Sequence, residues 1–102
     1  MKIQYKPTFF DDLDEIKEYI EANFDITLAA EIVRKIHTDC LTLAEYPHLG
    51  KEYSRNPFFH YLIVQKKNLA FYHIDETKQV VTLHRIFDGR RDYADAVASV
   101  TD

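Results

Sequence analysis

Only two glycines and three prolines occur in 102 residues, tryptophan is missing, and Cys40 is the single cysteine. So little Gly and Pro leaves no room for a flexible linker or a low-complexity tract, and no internal repeat is visible. One cysteine closes no internal disulfide. Its place in an apolar helical pattern reads as a buried, reduced thiol, which fits a cytoplasmic protein. No apolar run approaches the ~20 residues of a membrane span, and "MKIQYKPTFF" lacks the apolar core of a signal peptide. A soluble protein without a membrane partner is expected. A P-loop, a dinucleotide fingerprint and a serine or cysteine nucleophile motif are also missing, so no cofactor is expected. Metal-ligand spacings such as H-x-x-x-H and C-x-x-C do not occur either, so no metal is expected.

What is present suffices for a folded domain. Hydrophobic residues make up 46% and charged residues 29%, the balance of an ordinary globular chain. At this length roughly two-thirds of the unfolded surface is buried on folding, so residues 1–102 are read as one domain. The net charge of −4 conceals an asymmetry. Residues 1–50 hold five Lys/Arg against ten Asp/Glu, and residues 51–102 hold eight against seven. Nucleic-acid binders are normally basic overall, because phosphate contacts drive their affinity. This chain is not, although its second half can present a local positive site.

Along the chain, "KIQY" (2–5) alternates like a short strand ended by Pro7. From Thr8 the period changes: Phe9, Leu13, Ile16 and Ile20 fall on one helical face. Asp11, Asp12, Asp14 and Glu15 crowd the first turns, where they complement the helix dipole. "NFD" (23–25) breaks this helix, and Asp25 or Thr27 can cap the next. The second helix carries Ala29, Ile32, Val33, Ile36, Cys40 and Leu43 on one side and stops before Pro47. "YPHLGKEYSRNP" (46–57) reads as a loop with Gly50 as its flexible point. Then follow three stretches rich in aromatic and β-branched residues, "FFHYLIVQ" (58–65), "NLAFYHI" (68–74) and "QVVTLHRIF" (79–87). Their short joints suit antiparallel hairpins. "RDYADAVASV" (91–100) fits a terminal helix. The expected fold is α+β, in the order β-α-α-β-β-β-α, with a helical hairpin on one face of a small antiparallel sheet and the opposite face open.

The stretch "HRIFDGRRDY" (84–93) has more charge than a strand and turn require. Strict alternation places Val81, Leu83, Arg85 and Phe87 on one face and Val80, Thr82, His84 and Ile86 on the other. The Asp88-Gly89 turn then brings Arg90 and Arg91 to the same sheet edge, with Tyr93 close by. Guanidinium forks match phosphate geometry and stay charged at any cellular pH, so this is a candidate anion site. The plainer alternative is that one arginine pairs with Asp88 or Asp92 while the other is solvated. His60, His73 and His84 fall on three consecutive strands. Two histidines with an arginine would suit RNA cleavage, supplying a base, an acid and a cation for the phosphorane.

The chain resembles the RelE/ParE superfamily of bacterial type II toxins. The resemblance rests on the short first strand, the helical hairpin, "YPHLGKE" (46–52), "NLAFYHID" (68–75) and above all "VTLHRIFDGRRDY" (81–93). It implies a small growth-inhibiting toxin neutralised by a cognate antitoxin, whose tail wraps it and folds on binding in a toxin–antitoxin hetero-oligomer. Within the superfamily, RelE-like members cut mRNA on the ribosome and ParE-like members poison DNA gyrase. A RelE-like reading implies catalysis by His84, Arg85, Arg90 and Tyr93. A ParE-like reading implies target binding through Arg85, Arg90, Arg91 and Tyr93 without a hydrolytic site. Family members commonly carry an aromatic-Arg pair where this chain has Asn68-Leu69, and Leu69 cannot bind phosphate. That departure, the acidic balance and the "RIFDGRRDY" ending all favour the ParE-like reading. An inactive homologue retained for antitoxin binding is the third possibility.

Overall fold

The computed structural model describes residues 1–90 together with Ala94 and Val97. Strand β1 (Lys2–Tyr5) leads into helix α1 (Pro7–Asn23), then α2 (Ile26–Leu41), a 3-10 turn (Thr42–Ala44) and strands β2 (Lys51–Glu52), β3 (His60–Val64), β4 (Asn68–Asp75) and β5 (Val80–Asp88). Proline opens α1 because its missing N–H is not needed in the first turn. The helix thus starts one residue before Thr8, and Asp11, Asp12, Asp14 and Glu15 fall beyond its first turn. Asp25 caps α2, its carboxylate accepting from the Leu28 N–H at 2.6 Å.

The sheet has the order β1-β5-β4-β3-β2. It is mixed rather than purely antiparallel, because β1 lies parallel to β5, with Lys2 opposite Val80 and Tyr5 opposite Leu83. The helical hairpin between β1 and the later strands allows that parallel return. The expected loop at 46–57 also supplies a two-residue edge strand, Lys51–Glu52. Gly50 is pinned there rather than flexible. Its N–H donates to the Tyr72 hydroxyl at 3.0 Å, and that hydroxyl donates to the Pro47 carbonyl at 2.8 Å. A Cβ on Gly50 would lie 2.4 Å from the Tyr61 carbonyl oxygen, so close approach is what demands glycine.

Two apolar clusters flank the sheet. On the helix side Phe9, Ile36, Cys40 and Leu43 pack on Val64, Ala70, Tyr72, Val81, Leu83 and Ile86. Cys40 is the buried thiol expected, and burial pushes its pKa up to about 12. The opposite face is not open: Phe59, Phe71, Phe87 and Val97 form a second buried cluster, with Tyr53, Phe58, Tyr61 and Leu69 against it. Ala94 and Val97 are helical, as the terminal segment suggested. The rest of 91–100, including Arg91 and Tyr93, lies outside the described residues.

Strict alternation fails on β5. A register shift between Phe71 and Tyr72 pairs them with Arg85 and Leu83, leaving His84 as a bulged extra residue. Ile86 therefore joins Val81 and Leu83 on the helix side, while Phe87 turns to the second cluster. Among the described residues, no helix is long and apolar enough to cross a membrane.

Candidate functional site

The bulge governs the end of β5. Strand β1 stops opposite Leu83, so residues 84–86 would present an unpaired sheet edge, a liability that proteins cover. Helix α1 covers it with two side chains. The Thr8 hydroxyl donates to the His84 carbonyl at 2.8 Å, and the Ile86 N–H donates to Asp12 Oδ2 at 3.1 Å. Arg85 then wraps onto the same carboxylate, with Nε at 2.6 Å from Oδ2 and Nη2 at 2.9 Å from Oδ1. Its guanidinium carbon also lies 4.6 Å from the centre of the Phe87 ring. Asp12 is buried and Arg85 about one-fifth exposed, so this fork is committed to the fold. The Asp12 hydrogen bond raises the Arg85 pKa further.

Past the strand, Arg90 realises the plainer alternative and pairs with Asp88. Its backbone N–H, Nε and Nη2 reach the Asp88 carboxylate at 2.9, 3.1 and 2.9 Å. The Lys67 ammonium stands 3.8 Å from the same group. Hydrogen bonding from Arg90 holds the Asp88 carboxyl at about 2, well below the usual carboxylate range. Arg90 itself remains exposed.

The three strand histidines do not converge. His60 lies beside Tyr72, ring centres 5.6 Å apart, and against the edge of His48. Burial, then the neighbouring His48, pushes the His60 pKa below its ordinary value, and its Nδ1 is buried without a hydrogen-bond partner among the described residues. His73 stacks on Phe58 at 3.9 Å on the other side of the sheet. His84 is buried, its ring edge-on to Phe59 at 5.1 Å and to Phe58 at 6.1 Å. Phe58 thus contacts both His73 and His84.

A groove of about 610 Å³ runs beside Arg90. Ile16, Tyr19, Ile20, Phe24, Leu28 and Ile32 supply its apolar wall, and Glu15, Gln65, Lys67, Asn68, Asp88 and Arg90 its polar lining. Tyr19 and Phe24 are more than half exposed, an unusual setting for two large rings on one helix end. Sequence reasoning missed this groove and also missed Asp12. The signal for Asp12 was available: positions 9, 12, 16 and 20 share one helical face, and an acid on an apolar face implies a buried cation. Asn68, one of the departures from the superfamily pattern, is buried on the groove wall, its Nδ2 unpartnered among the described residues. Leu69 packs in the second cluster.

Similarity to solved structures agrees with this architecture. The chromosomal ParDE toxin–antitoxin system from P. aeruginosa superposes with a TM-score of 0.76 at 16% identity, covering 86% of this chain and 95% of that one. The isolated E. coli RelE toxin superposes with a TM-score of 0.58 at 12% identity, covering 98% of each chain. At such identities the likeness establishes the fold. No curated protein sequence matches significantly. The model of the ParE toxin family of type II toxin–antitoxin systems matches residues 3–93. With nearly the whole chain matched, including the β5 ending that carries Arg85 and Arg90, this protein belongs to the ParE toxin family.

Proposed function

We propose that this chain is the growth-inhibiting toxin of a type II module, held silent by a cognate antitoxin, and that it acts by binding DNA gyrase rather than by cutting RNA. The observation that carries the choice is the state of the residues a nuclease would need. The His84 ring is buried behind Phe58 and Phe59, and the Arg85 fork is spent on Asp12. A general base must reach the proton it removes, and His84 sits under two phenyl rings. An exposed arginine beside an apolar groove supports protein recognition instead. The acidic stripe of α1, with Asp11, Asp14, Glu15, Glu18 and Glu21, also disfavours docking on ribosomal RNA. In this reading Arg90, with Arg91 and Tyr93 following it, forms the target-contact end, and the antitoxin tail lays apolar side chains in the groove.

The test is inducible expression in a bacterium, with pulse-labelling of DNA and protein synthesis in the first minutes. DNA synthesis failing first, while translation continues, supports gyrase poisoning. Translation failing first overturns it and returns His84, Arg85, Arg90 and Tyr93 to the list of catalytic candidates on a ribosome-bound mRNA. If neither process falters although the protein is folded, the chain is an inactive homologue that binds antitoxin.

A further inference from the structure

Asp88 holds Arg90 in the geometry that an external carboxylate would take. Both of its oxygens are engaged by the guanidinium, one by Nε and one by Nη2, in the side-by-side fork typical of arginine–carboxylate recognition. The backbone builds this arrangement. Asp88 pairs with Asn68 across the β4–β5 ladder, and the next residue, Gly89, donates its N–H to the Lys67 carbonyl at 2.7 Å. A Cβ at Gly89 would come within 3.1 Å of that carbonyl, so the turn that delivers Arg90 is tight. The Lys67 ammonium adds a second positive charge near the same carboxylate. Opposite Asp88 on the ladder, the Asn68 Nδ2 is a donor with no acceptor among the described residues, buried on the wall of the adjoining groove. A donor left unsatisfied at a buried position is uncommon and costs stability.

We infer that Lys67, Asn68 and Arg90 form a carboxylate-binding site that the chain fills with its own Asp88, and that an acidic side chain of a protein partner enters by displacing it. This rests on the reading that the groove and the end of β5 face a protein. Three observations select a peptide carboxylate over a nucleic-acid phosphate. The groove leading to the site is walled by Tyr19, Phe24, Leu28 and Ile32, which suit the apolar neighbours of an acidic residue in a peptide. The acids of α1, Glu15 on the groove wall among them, repel any incoming anion, a polyphosphate backbone more strongly than a single carboxylate. The present occupant is itself a carboxylate and already satisfies the fork. Exchange of one carboxylate for another keeps the number of ion pairs constant, so an apolar peptide lacking an acid at the right place gains nothing from Arg90. Asp88 thus acts as a built-in competitor that sharpens partner choice.

The experiment follows the backbone amide resonances of residues 67, 89 and 90 by NMR in the purified full chain, titrated with sodium acetate and separately with inorganic phosphate at constant ionic strength. Asp88→Asn keeps the side-chain shape and removes the competing charge. It is expected to bind acetate about tenfold more tightly than the unaltered chain. Adding Arg90→Lys, which keeps the charge and loses the fork, should abolish most of that gain. Equal acetate responses with and without Asp88, or none in either, overturn the inference. A clear preference of Asp88→Asn for phosphate over acetate overturns the peptide assignment. Circular dichroism checks folding, and Asp88→Ser serves as the second variant should Asp88→Asn not fold. Neither gyrase nor antitoxin is in the tube, so failure here leaves the proposed function standing, and failure of gyrase poisoning leaves this result intact.

Discussion

Asp12 of α1 and Arg85 of β5 meet across the sheet edge that β1 leaves uncovered, joined by two hydrogen bonds while Asp12 also accepts from the Ile86 N–H. One carboxylate therefore satisfies a strand edge, anchors the first helix and immobilises the arginine nearest the bulge. Its environment makes it a structural element before it is anything else.

Asp12→Ala should be among the most destabilising single changes in the chain. It strands a largely buried guanidinium and an unpaired backbone N–H, at a cost of about 2–3 kcal/mol. For a domain of this size the melting temperature should fall by roughly 10–20 °C. Thermal unfolding followed by circular dichroism checks it. The double variant Asp12→Ala with Arg85→Met should lose less than the two single changes added together. Full additivity would mean the pair is not coupled.

Gly50→Ala should be worse than Tyr72→Phe, although both act on the same loop. Removing the Tyr72 hydroxyl deletes two hydrogen bonds, with an expected loss of about 1–2 kcal/mol. An added methyl at position 50 meets the Tyr61 carbonyl, which belongs to the sheet and cannot move away cheaply. Denaturant midpoints of the two variants settle the order.

Acid should weaken the fold below neutral pH through His60. Its folded pKa is lowered, chiefly by burial and next by His48, with Glu52 acting in the opposite sense and His73 in the same. The unfolded chain therefore takes up a proton more readily than the folded one, and stability declines as pH falls below the ordinary histidine value of about 6.5. His60→Asn should flatten the stability profile between about pH 7 and pH 5, as read from urea unfolding at several pH values.

Asp88 should show the opposite end of the scale. Its folded pKa is depressed to about 2, so its contribution is complete above the ordinary carboxylate value of about 4 and is lost as pH falls from there toward 2. Carboxyl-carbon NMR should give a midpoint near 2. In Arg90→Gln it should move up toward an ordinary value. An unchanged midpoint would show that Arg90 is not the cause.

Tyr19→Ala and Phe24→Ala should each weaken binding of the cognate antitoxin by roughly tenfold, as truncated aromatic anchors do. Both rings are more than half exposed, so the melting temperature should scarcely move. Calorimetric titration with the antitoxin distinguishes this from a shared loss of folding.

The helices, the three main strands and their order were legible because the apolar spacing of Phe9, Ile16 and Ile20, and the density of aromatic and β-branched residues after Pro57, are local signals. The parallel pairing of β1 with β5 was not, because nothing in "KIQY" names its partner. The bulge at His84 was also hidden. Alternation is a period-two rule, and a single extra residue reverses every assignment after it, which is why Ile86 and Phe87 exchanged faces. At the candidate site, the arginines were recognised by composition, but their partners were not. Asp12 lies far away in sequence, and the choice of Asp88 for Arg90 depends on a turn closed by the Lys67 carbonyl.

The parallel seam between Lys2–Tyr5 and Val80–Leu83 also orders events in time. The first strand to be synthesised has no partner until the last strand exists, and that strand lies in the final quarter of the chain. A nascent copy therefore carries an unpaired N-terminal strand through most of its synthesis, with closure as a late and long-range step.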